Sequence, residues 1–410
     1  METQTNNPIS AKAINGIAMK LKYKITPDLL FFAGFIPYLI RLMWQTTMFR
    51  NPFKGRFGSV YLLACIGVLA LKVICFDKLN FRQMLLSAIL LGIGVMTYLK
   101  SKSTVMLMLM VMVIGARNIN FDKILKAYLA IVIGGLVVAF VAAMLGIIED
   151  VSNERYIFSI CIKAHSFGII NTTDFAAHIF FASLVIFYLR RNRQKWFDYV
   201  LVVGVAIGLF FVTHARLDCG CMIIMALLFA MGDIVAKAET CSSFGKVFDF
   251  LHARLYPFVM PALTAGIFIL SLVYNAENKI INIINKITSN RLNLAHIDFE
   301  RRSITLFGQH IKMNGWGGGK GVPETEGYTF IDISYQQVLL CYGIVPLAAL
   351  LSIYVYMALK NKKNRHFLYC ILLIAINCTI AHHLHELAYN PFTLAFWAYI
   401  SIKHIKREKI

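Results

Sequence analysis

Four stretches of the chain run apolar for about 20 residues, the length a helix needs to cross the hydrocarbon core of a bilayer. They are Phe57–Phe76, Ala127–Ile148, Leu255–Tyr274 and Val338–Leu359. Others are shorter or interrupted: Leu29–Thr47, Leu85–Leu99, Thr104–Ala116, Asp174–Leu189, Tyr199–Thr213, Cys221–Ala236, Phe367–His383 and Phe392–Ile402. Such segments span by recruiting flanking residues or by thinning the bilayer. The pattern predicts an all-α polytopic membrane protein with about 12 transmembrane helices, built as one integral membrane domain over residues 1–410. Met1–Thr26 is polar and basic, so we read no cleavable signal peptide and expect the first helix to act as an uncleaved anchor.

Two connections are long, Glu149–Thr173 and Asn275–Ile333. Long loops in compact proteins are usually functional. In the second, the large outer loop, Lys279–Thr288 has the isoleucine spacing of an amphipathic helix, and Ile297–Phe307 is a second helical candidate. Gly315–Gly321 (GWGGGKG) reads as a flexible turn or lid. It lacks the spacing and the final Ser or Thr of a phosphate loop.

Composition sharpens the class. The chain is 58% hydrophobic and only 15% charged, against about 25% charged in soluble domains. Its net charge of +20 would suit a nucleic-acid partner. The basic residues instead gather in alternate connections, such as Arg190–Lys195 and Lys360–Arg365. That is the positive-inside rule, and it places both ends inside and Asn275–Ile333 outside. The nine cysteines are scattered, and Cys219-x-Cys221 has no second ligand pair, so we expect neither a disulfide framework nor a zinc site.

Polar residues at the outer ends of apolar runs are the candidate chemistry. Arg216 and Asp218 lie at the junction of two spans. Arg216 is open to two readings: an interfacial anchor paired with Asp218, or a guanidinium aimed at an anionic substrate. Arginine suits phosphate because its planar donors grip two oxygens and it stays charged. Arg291, Arg301 and Arg302 lie on the outer side against the charge trend, with Arg302 read as merely solvated. Asp332, one turn before Tyr335, is either a helix cap or a general base for a hydroxyl. Asn171, Thr172, Thr173 and Asp174 read as capping residues, whereas Lys163 and His165 have no such explanation. His382, His385 and Glu386 fall on one face of a helical reading; they either hold a metal or line a cleft. Arg41 and Lys72, inside spans, are the features a transporter would show.

The order of these pieces resembles a known family. Ser166-Phe167-Gly168 with Asn171 precedes one helix, and Thr213 with Arg216 precedes another. Ser289-x-Arg291-Leu292 and Leu306-Phe307-Gly308 lie in the outer loop. Asp332, Ser334, Tyr335, Tyr342 and Gly343 follow, and Tyr389-Asn390-Pro391-Phe392 ends the series. This is similar to the Wzy-type polysaccharide repeat-unit polymerases of the O-antigen ligase and polymerase superfamily, from roughly Ala130 to the C-terminus. The resemblance implies a C-type glycosyltransferase-like fold in the bacterial cytoplasmic (inner) membrane. The implied reaction joins undecaprenyl-diphosphate-linked repeat units into capsule, exopolysaccharide or O-antigen, by metal-independent inverting transfer without a cofactor. Arg216, Arg291 and Asp332 would be catalytic. Lys163, His165, Asn171, Arg301, Tyr335, His382 and His385 would bind substrate. The implied partners are the lipid-linked donor and acceptor, the bilayer, a chain-length regulator and a flippase. The chain departs at SFGIINTTDF, which lacks the family's proline. It also has Asp332-Ile333 where ligases have a His-Asn pair, which favours polymerase over ligase. A ligase with another acceptor and a lipid-linked sugar transporter are the alternatives.

Overall fold

The computed structural model describes residues 25–157, 160–191, 193–238, 254–315, 317 and 328–400. In chain order the elements are α1 Pro27–Gln45, α2 Gly55–Phe76, α3 Phe81–Ser101, α4 Val105–Gly115 and α5 Phe121–Met144, followed by a hairpin of β1 Ser152–Ile157 and β2 Ile160–His165. Next come α6 Thr172–Leu189, α7 Trp196–Thr213, α8 Arg216–Ala238 and α9 Val259–Leu272. The connection expected to be the outer loop contributes α10 Lys279–Ile287 and α11 Arg291–Arg301, and the chain continues through α12 Ser334–Gln337, α13 Ile344–Lys360 and α14 Arg365–Asn377.

Among the described residues, seven helices are long and apolar enough to cross a membrane: α1, α2, α3, α5, α6, α7 and α8. Their outward faces carry large apolar side chains, such as Val60, Leu63 and Ile74 on α2 and Val137, Val141 and Met144 on α5. Water would penalise that surface at about 25 cal/mol per Å², and lipid does not. The protein is a mostly helical, membrane-embedded chain. α4 is apolar all round and sits inside, with Met106, Met108, Met110 and Met112 buried. α6 is the most enclosed of the long helices.

The structure corrects several expectations. The Glu149–Thr173 connection is an antiparallel hairpin, so the chain is not purely α. Val338–Leu359 is not one helix. Val338–Tyr342 is a wide π turn, and Gly343 at φ 103° breaks the chain before α13. Gly308 and Gly343 explain the break. A Cβ on Gly308 would lie 2.1 Å from the Cys341 carbonyl oxygen, and one on Gly343 would lie 2.4 Å from that of Leu306. Gln309 N donates to Cys341 O (3.1 Å) and Ile344 N to Thr305 O (2.9 Å). The Leu-Phe-Gly and Tyr-Gly-Ile motifs are thus two backbones pressed together.

Phe367–His383 stays helical only to Asn377, and Phe392–Ile402 provides only a 3-10 helix, Pro391–Phe396, with residues 401–402 outside the described range. Irregular backbone at such depth must be satisfied inside the protein. Ser334 Oγ donates to Ala381 O and accepts from Leu384 N, and Tyr335 Oη donates to Ala375 O. Asn390 donates to Leu384 O and Tyr354 Oη, and Tyr128 Oη donates to Tyr389 O. In the outer loop, α10 forms as expected, with Ile280, Ile283 and Ile287 exposed. The second helix begins earlier than expected, at Arg291, and ends at Arg301. Gly315–Gly321 lies mostly outside the described residues.

The charged residues inside spans are structural. Lys72 is fully buried, and its Nζ donates to Asp77 Oδ2 (2.6 Å) and to the Arg117 carbonyl (2.5 Å). Arg41 donates to Gly58 O. Both charges are thus engaged within the frame, although the buried Arg41 Nε has no hydrogen-bond partner.

Candidate functional site

A cavity of about 1210 Å³ opens among α1, the start of α6, the α7–α8 corner, α11 and the irregular segment after α14. Two local turns aim the arginines at it. At the α7–α8 corner, His214 takes a left-handed φ of 55°. Thr213 Oγ1 bonds back to Leu209 O (2.8 Å) and accepts from Ala215 N (3.3 Å). The Thr-x-x-Arg spacing therefore makes Arg216 the first residue of α8. At the α10–α11 corner, Ser289 and Asn290 are both left-handed, at φ 56° and 67°. The buried Asn285 holds this corner: its side chain donates to Tyr274 Oη and Asn290 Oδ1, and it accepts from Asn293 N. Arg291 is then the first residue of α11. Both helix starts border the cavity, and helix N-termini carry partial positive charge that favours anions.

The two arginines differ in their engagement. Arg291 Nη1 donates to the Ile380 carbonyl, and its Nη2 lies 3.4 Å from Asp332 Oδ1. Arg216 is exposed to the cavity, with no hydrogen bond or ion pair among the described residues. Asp218, which one reading made its partner, instead accepts from Asn377 Nδ2 (2.9 Å). Asp332 is not a cap. Ile333 holds the cap position of α12 without a side-chain bond, while Asp332 Oδ2 accepts from Tyr328 Oη at 2.7 Å. Burial, with the Asp332 charge beside it, pushes the Tyr328 hydroxyl well above the usual phenol range.

The structure brings together Arg216, Arg291, Asp332, Asn171, His382 and His385 on the cavity wall. It does not bring Lys163, His165, Arg301 or Tyr335 there. Lys163 is exposed on β2. His165 Nδ1 meets Asp150 Oδ2 at 2.6 Å, and Asp150 Oδ1 also accepts from the backbone of Ser166 and Phe167. His165 therefore helps hold the Ser-Phe-Gly turn. Arg301 is exposed at the far end of α11, and Tyr335 is buried in the core. Arg302 is not merely solvated: it pairs with Asp298 (3.3 Å) and donates to the Thr329 carbonyl (2.9 Å). Asn171 sits at the cap position of α6 without making a side-chain cap bond.

His382, His385 and Glu386 lie in turns after α14, not on a helix face. A different trio converges as possible metal ligands, Asp174 with His382 and His383. Sequence reasoning missed Asp174, His383, Tyr328 and Gln337 as wall residues. Asp174 carried a usable signal, a carboxylate inside an apolar run. Comparison of the chain with protein-family models, with curated proteins and with solved structures gives no match.

Proposed function

We propose that the protein is a glycosyltransferase that polymerises undecaprenyl-diphosphate-linked oligosaccharide units at the outer face of a bacterial cytoplasmic membrane, with about 12 crossings made by the seven long helices and the shorter apolar segments. One observation carries the reading. Two guanidinium groups, each on the first residue of a helix, share one cavity with a carboxylate that caps nothing. In this reading the acceptor hydroxyl oxygen attacks the anomeric carbon of the donor, and the bond from that carbon to the diphosphate oxygen breaks. The hydroxyl proton passes to Asp332. The departing diphosphate carries the negative charge, and Arg216, Arg291 and the two helix starts stabilise it. No metal takes part in this step. Ile224 on α8 and Ile287 on α10 both line the cavity and are exposed, which suits a lipid tail running from the cavity into the bilayer.

The test compares glycan length in cells with and without the chain, followed by transfer with purified protein and lipid-linked units. Loss of long polymer with retention of single repeats supports polymerisation. Polymer of normal length in cells lacking the chain overturns it.

A further inference from the structure

The wall of the cavity formed by α6 and the segment after α14 holds polar groups that the transfer step does not use. Asp174 is only 5% exposed and has no hydrogen bond or ion pair among the described residues. Its carboxylate and one ring nitrogen each of His382 and His383 lie within 4.8 Å of one another. Glu386 adds a second carboxylate, with its oxygens 3.6 Å from His383 Nδ1 and 4.0 Å from His382 Nε2. Those separations are too long for hydrogen bonds. His383 is 2% exposed, yet its Nδ1 has no hydrogen-bond partner.

Three donor groups thus converge without bonding one another, with Glu386 beside the two histidines but outside the trio. Burying a carboxylate and imidazoles unsatisfied is costly, and a cation between them would satisfy all three together. The rings are already oriented by packing. His383 lies tilted against Tyr389 with centroids 3.9 Å apart, Tyr389 stacks on His178 at 4.1 Å, and His382 meets the Phe330 ring edge-on at 4.9 Å. Two imidazoles with one carboxylate suit zinc and its neighbours, whereas calcium and magnesium prefer all-oxygen shells. Tetrahedral zinc with bonds of about 2.0–2.2 Å holds its donors roughly 3.4 Å apart. Binding would draw the three groups, now within 4.8 Å of one another, together to that value.

We propose that Asp174, His382 and His383 bind one divalent cation of the zinc class, with water as the fourth ligand. The ion would tie the start of α6 to the irregular segment of residues 378–390, beside the arginines but outside the transfer step. The proposal goes beyond the glycosyltransferase reading and stands or falls without it.

The experiment uses the full chain, purified in detergent, stripped with a chelator and titrated with Co²⁺ and then Zn²⁺. One Co²⁺ per chain is expected, with a visible d–d band of four-coordinate intensity that one equivalent of Zn²⁺ removes. Asp174→Asn and His383→Gln should each weaken Zn²⁺ binding at least tenfold, and His165→Gln, outside the cavity, should not. Absence of stoichiometric binding overturns the proposal, as does binding unchanged in the folded Asp174→Asn/His383→Gln double variant. If that variant does not fold, X-ray absorption of the zinc-loaded wild-type protein decides: a shell with two imidazoles supports the site, and a shell with one or none overturns it.

Discussion

Replacing Asp332 by Asn tests the transfer chemistry most directly, because the structure allows the cost to folding to be separated from the cost to activity. Asn keeps the shape of Asp and an oxygen that can still accept from Tyr328 Oη, now at 2.7 Å. No helix cap is lost, since Ile333 holds the cap position. What disappears is the charge facing Arg291 Nη2 at 3.4 Å. Both side chains are partly enclosed, so the pair falls between an exposed one, worth up to about 1 kcal/mol, and a buried one, whose breaking costs roughly 3–5 kcal/mol. A loss of about 1–3 kcal/mol lowers the melting temperature without unfolding the chain. Arg291 also keeps its bond to the Ile380 carbonyl.

Activity should fall much further. A group that takes the acceptor proton contributes a factor of about 10²–10⁴, or roughly 3–5 kcal/mol of barrier. The assay is single-turnover transfer between lipid-linked units by protein in nanodiscs, with donor binding measured separately and melting followed alongside. The expected result is transfer slowed by two to four orders of magnitude in a folded variant that still binds donor. Tyr328→Phe, which removes only a hydrogen bond to the same carboxylate, should change the rate by a few-fold. Full transfer by Asp332→Asn would refute the assignment and leave Asp332 as the ion-pair partner of Arg291.

The remaining predictions concern the arginine, the frame and the outer module. Arg216→Lys keeps the charge but loses the two-oxygen grip, so transfer should drop at least tenfold in a single-turnover assay with the melting temperature unchanged. Gly343→Ala should prevent correct folding, seen as loss of monodisperse protein on size exclusion, because its Cβ would meet the Leu306 carbonyl oxygen at 2.4 Å in a left-handed conformation. Asp298 in α11 has its pKa raised from 3.8 to about 6, mainly by burial, with Arg302 opposing. A raised carboxyl pKa means that the folded state holds its proton more tightly, so this contribution is full below about pH 4 and is lost as the pH rises through about 6. Thermal melting should therefore be a few degrees higher at pH 5 than at pH 7, and Asp298→Asn should shrink that difference.

The membrane class and most helix limits were legible because hydropathy measures the solvent that a segment prefers. α2 and α7 present large apolar side chains outward, and their ends fall within three residues of the ends of the apolar runs, whereas α5 begins at Phe121, ahead of the run at Ala127. Hydropathy does not measure backbone conformation. The residues of Val338–Leu359 and those after Asn377 are apolar because they are buried in protein, and nothing in that apolarity distinguishes a straight helix from a π turn or a buried irregular strap. The deciding residues are Gly343, Ser334 and Asn390, whose roles depend on partners distant in sequence. The same limit governs the site. Arg216, Arg291 and Asp332 were legible as charges at the ends of apolar runs. Lys163 and Arg301 gave the same signal but do not line the cavity, although Glu154, paired with Lys163 across the hairpin, does.

The partners of the motif residues separate frame from chemistry. In Asp-x-Ser-Tyr, Ser334 and Tyr335 spend their hydroxyls on the carbonyls of Ala381 and Ala375. Gln336 binds the Ala295 carbonyl of α11. Those three bonds fix α12 against α11 and α14, and so fix where Asp332 stands relative to Arg291. Leu-Phe-Gly and Tyr-Gly-Ile lock the far side of the same turn, and Thr213 and Asn285 set the two arginine-bearing corners. Most residues of the motifs therefore act by position, and few remain to act by chemistry. If the proposed function is right, an Asp332 held at 3.4 Å from Arg291 before any substrate arrives means that donor binding must compete for that guanidinium. Donor capture and release of the Asp332 carboxylate then become one event, and the base is freed only when a diphosphate takes its place on Arg291.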